Sequence, residues 1–348
     1  AVTDYKGTGV RVDESGVTLT ENIDTADVVS FRFDMRYADN EQLLSYRDCG
    51  IREAEGTVSV SLTHDIVYDA ALRQTASVTG TLSRQADGSS AVSTTRTRRE
   101  YDVNGILLSA GDEVENRSDD GAGYISDTRT INTYVISRNQ ARLTLADTTG
   151  TFTTAAGSHG TIAQQVSYSY DENGCLSGAA GSSTRQETDF YGNTSGSQSS
   201  DTYMLINGSA LVISSTSVSD ATNLDTSSAH SESVVDYVYD DNGDLVSGRG
   251  RVESSSDDGN GNVTESVVTQ EYASVLNKAK LFTSTTLSES QNRDGSSSHA
   301  ETTVTYTYDT AGKVSGATGV GTSDSDDGFG NRTTSSVSQA YIVINNQV

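Results

Sequence analysis

Hydrophobic and polar residues alternate in short runs along this chain, and the runs return at fixed distances. Ahead of three Tyr-Asp pairs the sequence reads Val166-Ser-Tyr168-Ser-Tyr170, Val235-Asp-Tyr237-Val-Tyr239 and Val304-Thr-Tyr306-Thr-Tyr308. A period of two, with aromatic and β-branched residues at alternate positions, predicts a strand packed on one face. Asp-Glu-Asn173-Gly174 and Asp-Asp-Asn242-Gly243 then supply a hairpin turn. The return strand carries Leu107, Leu176, Leu245 or Val314 at one phase, followed by small residues such as Ser177-Gly178 and Ser315-Gly316 that admit close backbone approach or a bulge. A second hairpin opens with an acidic, glycine-rich turn, Asp258-Gly-Asn-Gly261-Asn262 or Asp327-Gly-Phe-Gly330-Asn331. Its Ser/Thr-rich strand runs to Tyr203, Tyr272 or Tyr341. A turn near Asn207-Gly208, Asn277-Lys278 or Asn345-Asn346 reverses the chain into a strand beginning at alanine. No long helical pattern competes.

These elements form a tandem repeat of 69 residues. Tyr101, Tyr170, Tyr239 and Tyr308 keep that step, as do Gly123, Gly192, Gly261 and Gly330, and Tyr134, Tyr203, Tyr272 and Tyr341. The predicted fold class is all-β: an elongated tandem array of β-hairpins with about four strands per unit. Phase divides the chain into N-terminal strands (1–28), a degenerate first repeat (29–96), repeats at 97–165, 166–234 and 235–303, and a truncated fifth repeat (304–348) lacking its last strand. Phe31-Arg32-Phe33-Asp34 aligns with Tyr237-Val-Tyr239-Asp240 and places the first copy one residue out of step.

Tyr237-Val-Tyr239-Asp240-Asp-Asn-Gly243-Asp-Leu245 resembles the YD repeat of Rhs and teneurin-type surface proteins, and Asp327-Gly-Phe-Gly330-Asn331 resembles a turn common in them. The resemblance implies a β-hairpin scaffold in a secreted or cell-surface protein. The family's repeat is nearer 20 residues and its closed shells need many more strands, so the hairpin chemistry carries over and the toxin-enclosing shell does not. No functional residue transfers, because those repeats are scaffolds.

Composition narrows the partners. Counting glycine in place of tyrosine gives roughly 37% apolar residues against about 45–50% in ordinary domains. The core must therefore be thin. A formal charge of −25 disfavours nucleic acid, which needs Lys and Arg on the contact surface. It also implies screening by salt or bound cations if copies assemble, with halophilic adaptation as the competing explanation. No apolar run reaches the length of a membrane-spanning helix. Cys49 and Cys175 occupy non-equivalent positions, about two periods apart, and are open to bridging or to remaining free thiols. The first residue is Ala, as in a processed secreted protein, and proline is absent, which leaves backbone donors available throughout.

Three candidate chemistries remain. Asp120, Asp189, Asp258 and Asp327 form one column in the acidic turns, where carboxylates and glycines could hold Ca2+; plain Asp/Gly turn chemistry is the competing reading. Asn193, Asn262 and Asn331 begin N-x-[ST] glycosylation acceptors at the repeat spacing, with Asn116 and Asn207 besides. His64, His159, His230 and His299 read as surface decoration of Ser-rich linkers, and no catalytic motif accompanies them. No catalytic residue is assigned, and the chain is read as a non-enzyme.

The functional expectation is a secreted structural protein, a subunit of an extracellular filament or surface fibre, assembled head-to-tail with copies of itself by β-strand complementation. The assembly residues are Tyr5, Val10, Val12, Val17 and Leu19 on the donor side and Tyr341, Ile342, Val343 and Ile344 on the acceptor side. Val17-Thr-Leu19-Thr resembles the strand at Arg142-Leu-Thr-Leu145 that the fifth copy lacks. The alternative is an adhesin stalk or carbohydrate-binding module of a larger surface protein.

Overall fold

The computed structural model describes residues 10–13, 16–19, 29–39, 41–52 and 57–341. It is all-β, with no helix among the described residues. The chain divides into two compact units, Ala1–Arg129 and Thr130–Val348. In the first, β1 (Val10–Asp13) and β2 (Gly16–Leu19) pair, among the described residues, only with each other. A meander follows through β3 (Val29–Tyr37), β4 (Leu43–Arg52), β5 (Thr57–Tyr68), β6 (Gln74–Arg84), β7 (Ser90–Tyr101) and β8 (Leu107–Asp119). β9 (Ile125–Ser137) carries the chain into the second unit. There β10 (Gln140–Thr153), β11 (His159–Tyr170), β12 (Leu176–Thr188), β13 (Thr194–Ile206), β14 (Ser209–Thr222), β15 (Ser228–Tyr239) and β16 (Leu245–Asp257) are followed by β17 (Val263–Val275), β18 (Lys278–Gln291), β19 (Ser297–Tyr308), β20 (Val314–Asp326) and β21 (Arg332–Tyr341). Each is antiparallel to its sequence neighbour. Four strands and their turns account for the 69-residue step.

Turn chemistry sets the strand boundaries. After Tyr170, the Asp171 N–H donates to the Cys175 carbonyl at 2.9 Å and the Gly174 N–H to the Asp171 carbonyl at 2.9 Å. Asp171 Oδ1 accepts from the backbone N–H of Asn173 (2.9 Å) and Cys175 (2.7 Å). Gly174 lies at φ 73°, a left-handed conformation that costs an L side chain. Asn173 does not share it. The Asn-Gly pair therefore ends a longer, glycine-bulged turn closed by an aspartate. Two-residue turns occur instead at Arg138-Asn139, Asn207-Gly208 and Leu276-Asn277, where both residues have positive φ. The third begins one residue before the expected Asn277-Lys278, since Lys278 already belongs to β18. Asn345-Asn346 lies outside the described residues.

The tyrosines are structural. Between β10 and β11 the ladder starts only at Leu145↔Ser167. Beyond it, the Tyr170 hydroxyl donates to the Leu143 carbonyl at 2.8 Å, taking the place of a backbone bond. Tyr308 does the same to Leu281 (2.6 Å) and Tyr68 to Leu43 (3.0 Å). On the other side of each such strand the register shifts by one residue, as at Ser169/Tyr170 and Thr307/Tyr308, so the expected bulge is present at Ser177 and Ser315. The core is thin, as composition predicts. Its most enclosed side chain is Phe152, 2% exposed, which faces Gly160 across the ladder and lies under the Arg185 guanidinium at 3.6 Å. Elsewhere paired hydroxyls fill the face, as in Ser183–Ser199 and Ser217–Ser233, both at 2.8 Å.

The degenerate first copy differs from expectation. Phe33 is not the counterpart of Tyr239. β3 continues to Tyr37, and the turn closes through Ala38 N–H to Gln42 O at 2.8 Å, with Glu41 in the left-handed position at φ 65°. A second copy, Tyr68-Asp69, lies between Tyr37 and Tyr101 and uses Leu72 at φ 64° where later copies use glycine. The physical unit is thus the single hairpin with one tyrosine near the end of its rising strand.

Candidate functional site

Because paired residues in an antiparallel ladder project to the same side, register alone aligns side chains across the second unit. Asp220, His230, Ser255, Glu265, Glu289, His299, Asp324 and Thr334 are successive partners from β14 to β21. They form a transverse row on the face opposite Tyr237 and Tyr239. His230 Nδ1 lies 2.7 Å from Asp220 Oδ1, and His299 Nδ1 lies 3.3 Å from Glu289 Oε1. Thr334 Oγ1 donates to Asp324 Oδ1 at 2.6 Å.

Asp220, His230 and Ser255 therefore stand side by side in the order of a hydrolytic triad. The chemistry is incomplete. Asp220 holds one imidazole nitrogen, but the backbone N–H groups around Ser255 belong to strand ladders, leaving no preorganised donor pair for an oxyanion. In the next copy the position of Ser255 is held by Asp324. Among the described residues no group of three or more His, Cys, Asp or Glu side chains is arranged to hold a metal ion.

The acidic column is distributed over separate turns. Asp120 Oδ1 accepts from Ala122 N–H (2.7 Å) and Tyr124 N–H (2.9 Å); Asp189 Oδ1 from Tyr191 (2.8 Å) and Asn193 (2.9 Å). Asp258 and Asp327 repeat the pattern with Asn260/Asn262 and Phe329/Asn331. Asp189, Asp258 and Asp327 are four strands apart, roughly 19 Å along the sheet at about 4.8 Å per strand, so the column does not converge. The bonds hold their carboxyls below the usual range: through the Ala122 and Tyr124 N–H groups for Asp120, the Asn260 N–H and Asn262 amide for Asp258, and the Asn331 amide and Phe329 N–H for Asp327.

The three periodic asparagines are tied to the same turns. Asn193, Asn262 and Asn331 each donate Nδ2 to the partner aspartate, at 2.7, 2.6 and 2.5 Å. Asn193 and Asn262 also accept from the backbone N–H of Leu224 (2.9 Å) and Arg293 (3.0 Å) in the next turn. The nitrogen that a glycan would take is engaged in holding the turn. Of the assembly residues, Val10 is paired with Leu19 and Val12 with Val17 in the β1–β2 ladder, so the two donor candidates form one hairpin. Tyr341 closes β21, its hydroxyl on Gln339 Oε1 at 2.7 Å. Tyr5, Ile342, Val343 and Ile344 lie outside the described residues. Cys49 is a buried free thiol, pushed up by burial, and Cys175 is an exposed free thiol.

The pairings of Asp220 with His230 and of Glu289 with His299 were missed by sequence reasoning, although each spans one turn with the partners ten residues apart. A second feature it did not anticipate is a shallow depression of about 510 Å³ on the tyrosine side, lined by Arg185, Ser197, Ser219, Ser231, Ser254 and Ser266.

No family model matches this chain, and no curated protein matches it. Among solved structures it is similar to a porin-like protein from Bacteroides uniformis, at 14% identity over 82% of this chain and 96% of that one, with a TM-score of 0.20. It is also similar to a Tc holotoxin pore from Photorhabdus luminescens, at 9% identity over 84% of this chain and 25% of that one, with a TM-score of 0.10. At these scores neither likeness bears on what the chain does. The geometry itself defines the class: an all-β antiparallel hairpin repeat protein. No helix among the described residues is long and apolar enough to cross a membrane.

Proposed function

We propose that this is an extracellular structural repeat protein, a filament or surface-fibre subunit that works through its sheet surfaces rather than through catalysis. The observation that carries the reading is the β1–β2 hairpin. Its strands are four residues each and, among the described residues, pair with nothing but one another. An isolated two-stranded hairpin is marginal in water, so this element needs a further strand, and strand addition to another copy would supply one through backbone hydrogen bonds. A contact of this heterologous kind propagates unless rotation closes it. The absence of proline and the high charge suit long ladders that remain soluble.

Electron microscopy and sedimentation of the full chain and of a chain lacking residues 1–20 test the reading. Fibres from the full chain and soluble, non-elongating particles from the truncation are expected. Fibres of unchanged length from the truncation would exclude the hairpin as the assembling element. The hydroxyl-lined depression supports a second reading, a carbohydrate-binding module, and glycan-array binding lost on Arg185→Ala without assembly would favour it.

A further inference from the structure

Five Asn-Gly pairs occur in this chain, at Asn104, Asn173, Asn207, Asn242 and Asn260. Glycine lacks the side chain that would hinder its own nitrogen, so the following amide nitrogen can attack the asparagine side-chain carbon. A bond forms from Gly N to Asn Cγ, the Cγ–Nδ2 bond breaks, and ammonia leaves carrying the glycine proton. Water then opens the resulting succinimide to aspartate or isoaspartate. The reaction needs only water, so availability of the glycine N–H and freedom of the asparagine amide rank the five sites.

Three of them are held by the glycine-bulged turn. The Gly105, Gly174 and Gly243 N–H groups donate to the carbonyls of Asp102 (3.1 Å), Asp171 (2.9 Å) and Asp240 (3.0 Å). Asn207-Gly208 is different. It is a two-residue turn with φ of 52° and 79°, closed by the flanking pair Ile206↔Ser209, and the Gly208 N–H makes no backbone bond among the described residues. A Cβ built on Gly208 would meet nothing within 4 Å. The Asn207 amide makes only long bonds, 3.4 and 3.3 Å, to the carbonyls of Asp241 and Asn242. Asn260 is intermediate, since its amide donates to the Asp258 carbonyl at 3.1 Å and its backbone N–H to Asp258 Oδ1 at 2.8 Å.

We propose that Asn207 is a site of spontaneous deamidation and that it converts ahead of the other four pairs. The product carries a carboxylate where an amide donated to two carbonyls, and isoaspartate adds a backbone carbon to a two-residue turn. Both changes release the tie between the β13–β14 turn and the β15–β16 turn.

The test is peptide mass spectrometry of the full chain incubated in mildly alkaline buffer, with isoaspartate resolved by elution. Asn207 is expected to convert about five- to tenfold faster than Asn104, Asn173 and Asn242, the protection one retained hydrogen bond gives, with Asn260 between. In denaturant the five rates should draw together. Equal rates in the folded chain, a lead by Asn173 or Asn242, or an unchanged ranking in denaturant would each overturn the proposal. In a folded Asn207→Gln chain the earliest mass gain should disappear; its persistence would place that gain elsewhere.

Discussion

The N-terminal and C-terminal units use one hairpin device at two levels of regularity. In the C-terminal unit, glycine-bulged turns at Gly174, Gly243 and Gly312 alternate with two-residue turns. In the N-terminal unit the left-handed position falls to Glu41 and Leu72 before Gly88 and Gly105 take it, against Thr226 as a non-glycine case in the C-terminal unit, and two further residues, Asp34 and Asp65, have positive φ inside strands. There β3 and β5 each break register twice, at Phe33/Arg36 and Arg36/Tyr37, and at His64/Val67 and Val67/Tyr68. The tyrosine still finds its carbonyl, as Tyr68 does on Leu43. The turn's backbone closure is common to both units, the tyrosine bond reinforces it at Tyr68, Tyr170 and Tyr308, and glycine makes the closure cheaper.

The sharpest way to break the C-terminal unit is Phe152→Ala. It should cost about 3–5 kcal/mol, as large aromatic truncations at enclosed sites do, and calorimetry would show it; a loss below about 0.5 kcal/mol would mean that Arg185 and Gly160 close over the gap. The comparison itself is tested by exchanging the left-handed residues. Gly243→Leu should destabilise by about 1–2 kcal/mol and Leu72→Gly should stabilise by up to about 1 kcal/mol. Equal and opposite silence in both would show that this backbone position carries no strain.

Tyrosine-to-phenylalanine changes come next. Tyr308→Phe and Tyr68→Phe each remove one hydroxyl bond and should cost about 1 kcal/mol, with similar values in the two units despite their different register. The smallest effect concerns pH. Donation by the Ile106 N–H to Asp102 and by the Asp244 N–H to Asp240 holds both carboxyls below their usual range. A folded pKa below the unfolded one gives stability present above the ordinary carboxylate range and lost as pH falls through the depressed value. Melting temperature should therefore decline in acid, and Asp240→Asn should flatten that decline; an unchanged acid limb in the variant would remove the carboxylate from the account.

Legibility in the sequence followed chemical distinctiveness. Strand class, the tyrosine columns and the bulge after Leu176 were readable because alternation and glycine leave marks that do not depend on neighbours. The Tyr68-Asp69 hairpin was not, since the reading keyed on glycine and Leu72 stands there instead. Phe33 was misaligned for a related reason: Asp34 and Met35 add residues inside β3 that only the register shift exposes. The row from Asp220 to Thr334 is built from residues on eight strands, so it appears only once each register is known. The calcium and glycosylation candidates were visible as columns, yet a column cannot show that Asp189 and Asn193 bind each other.

Each Asp-closed turn is shut by its own aspartate, its tie to the next turn recurs with it, and every second hairpin returns the same turn type at the same phase. A duplication or loss of one 69-residue segment in the gene would thus preserve every kind of neighbour contact in the array. Copy number becomes a heritable dimension of this protein that selection can adjust without redesigning any interface, and related genes should differ by whole double hairpins more readily than by single strands.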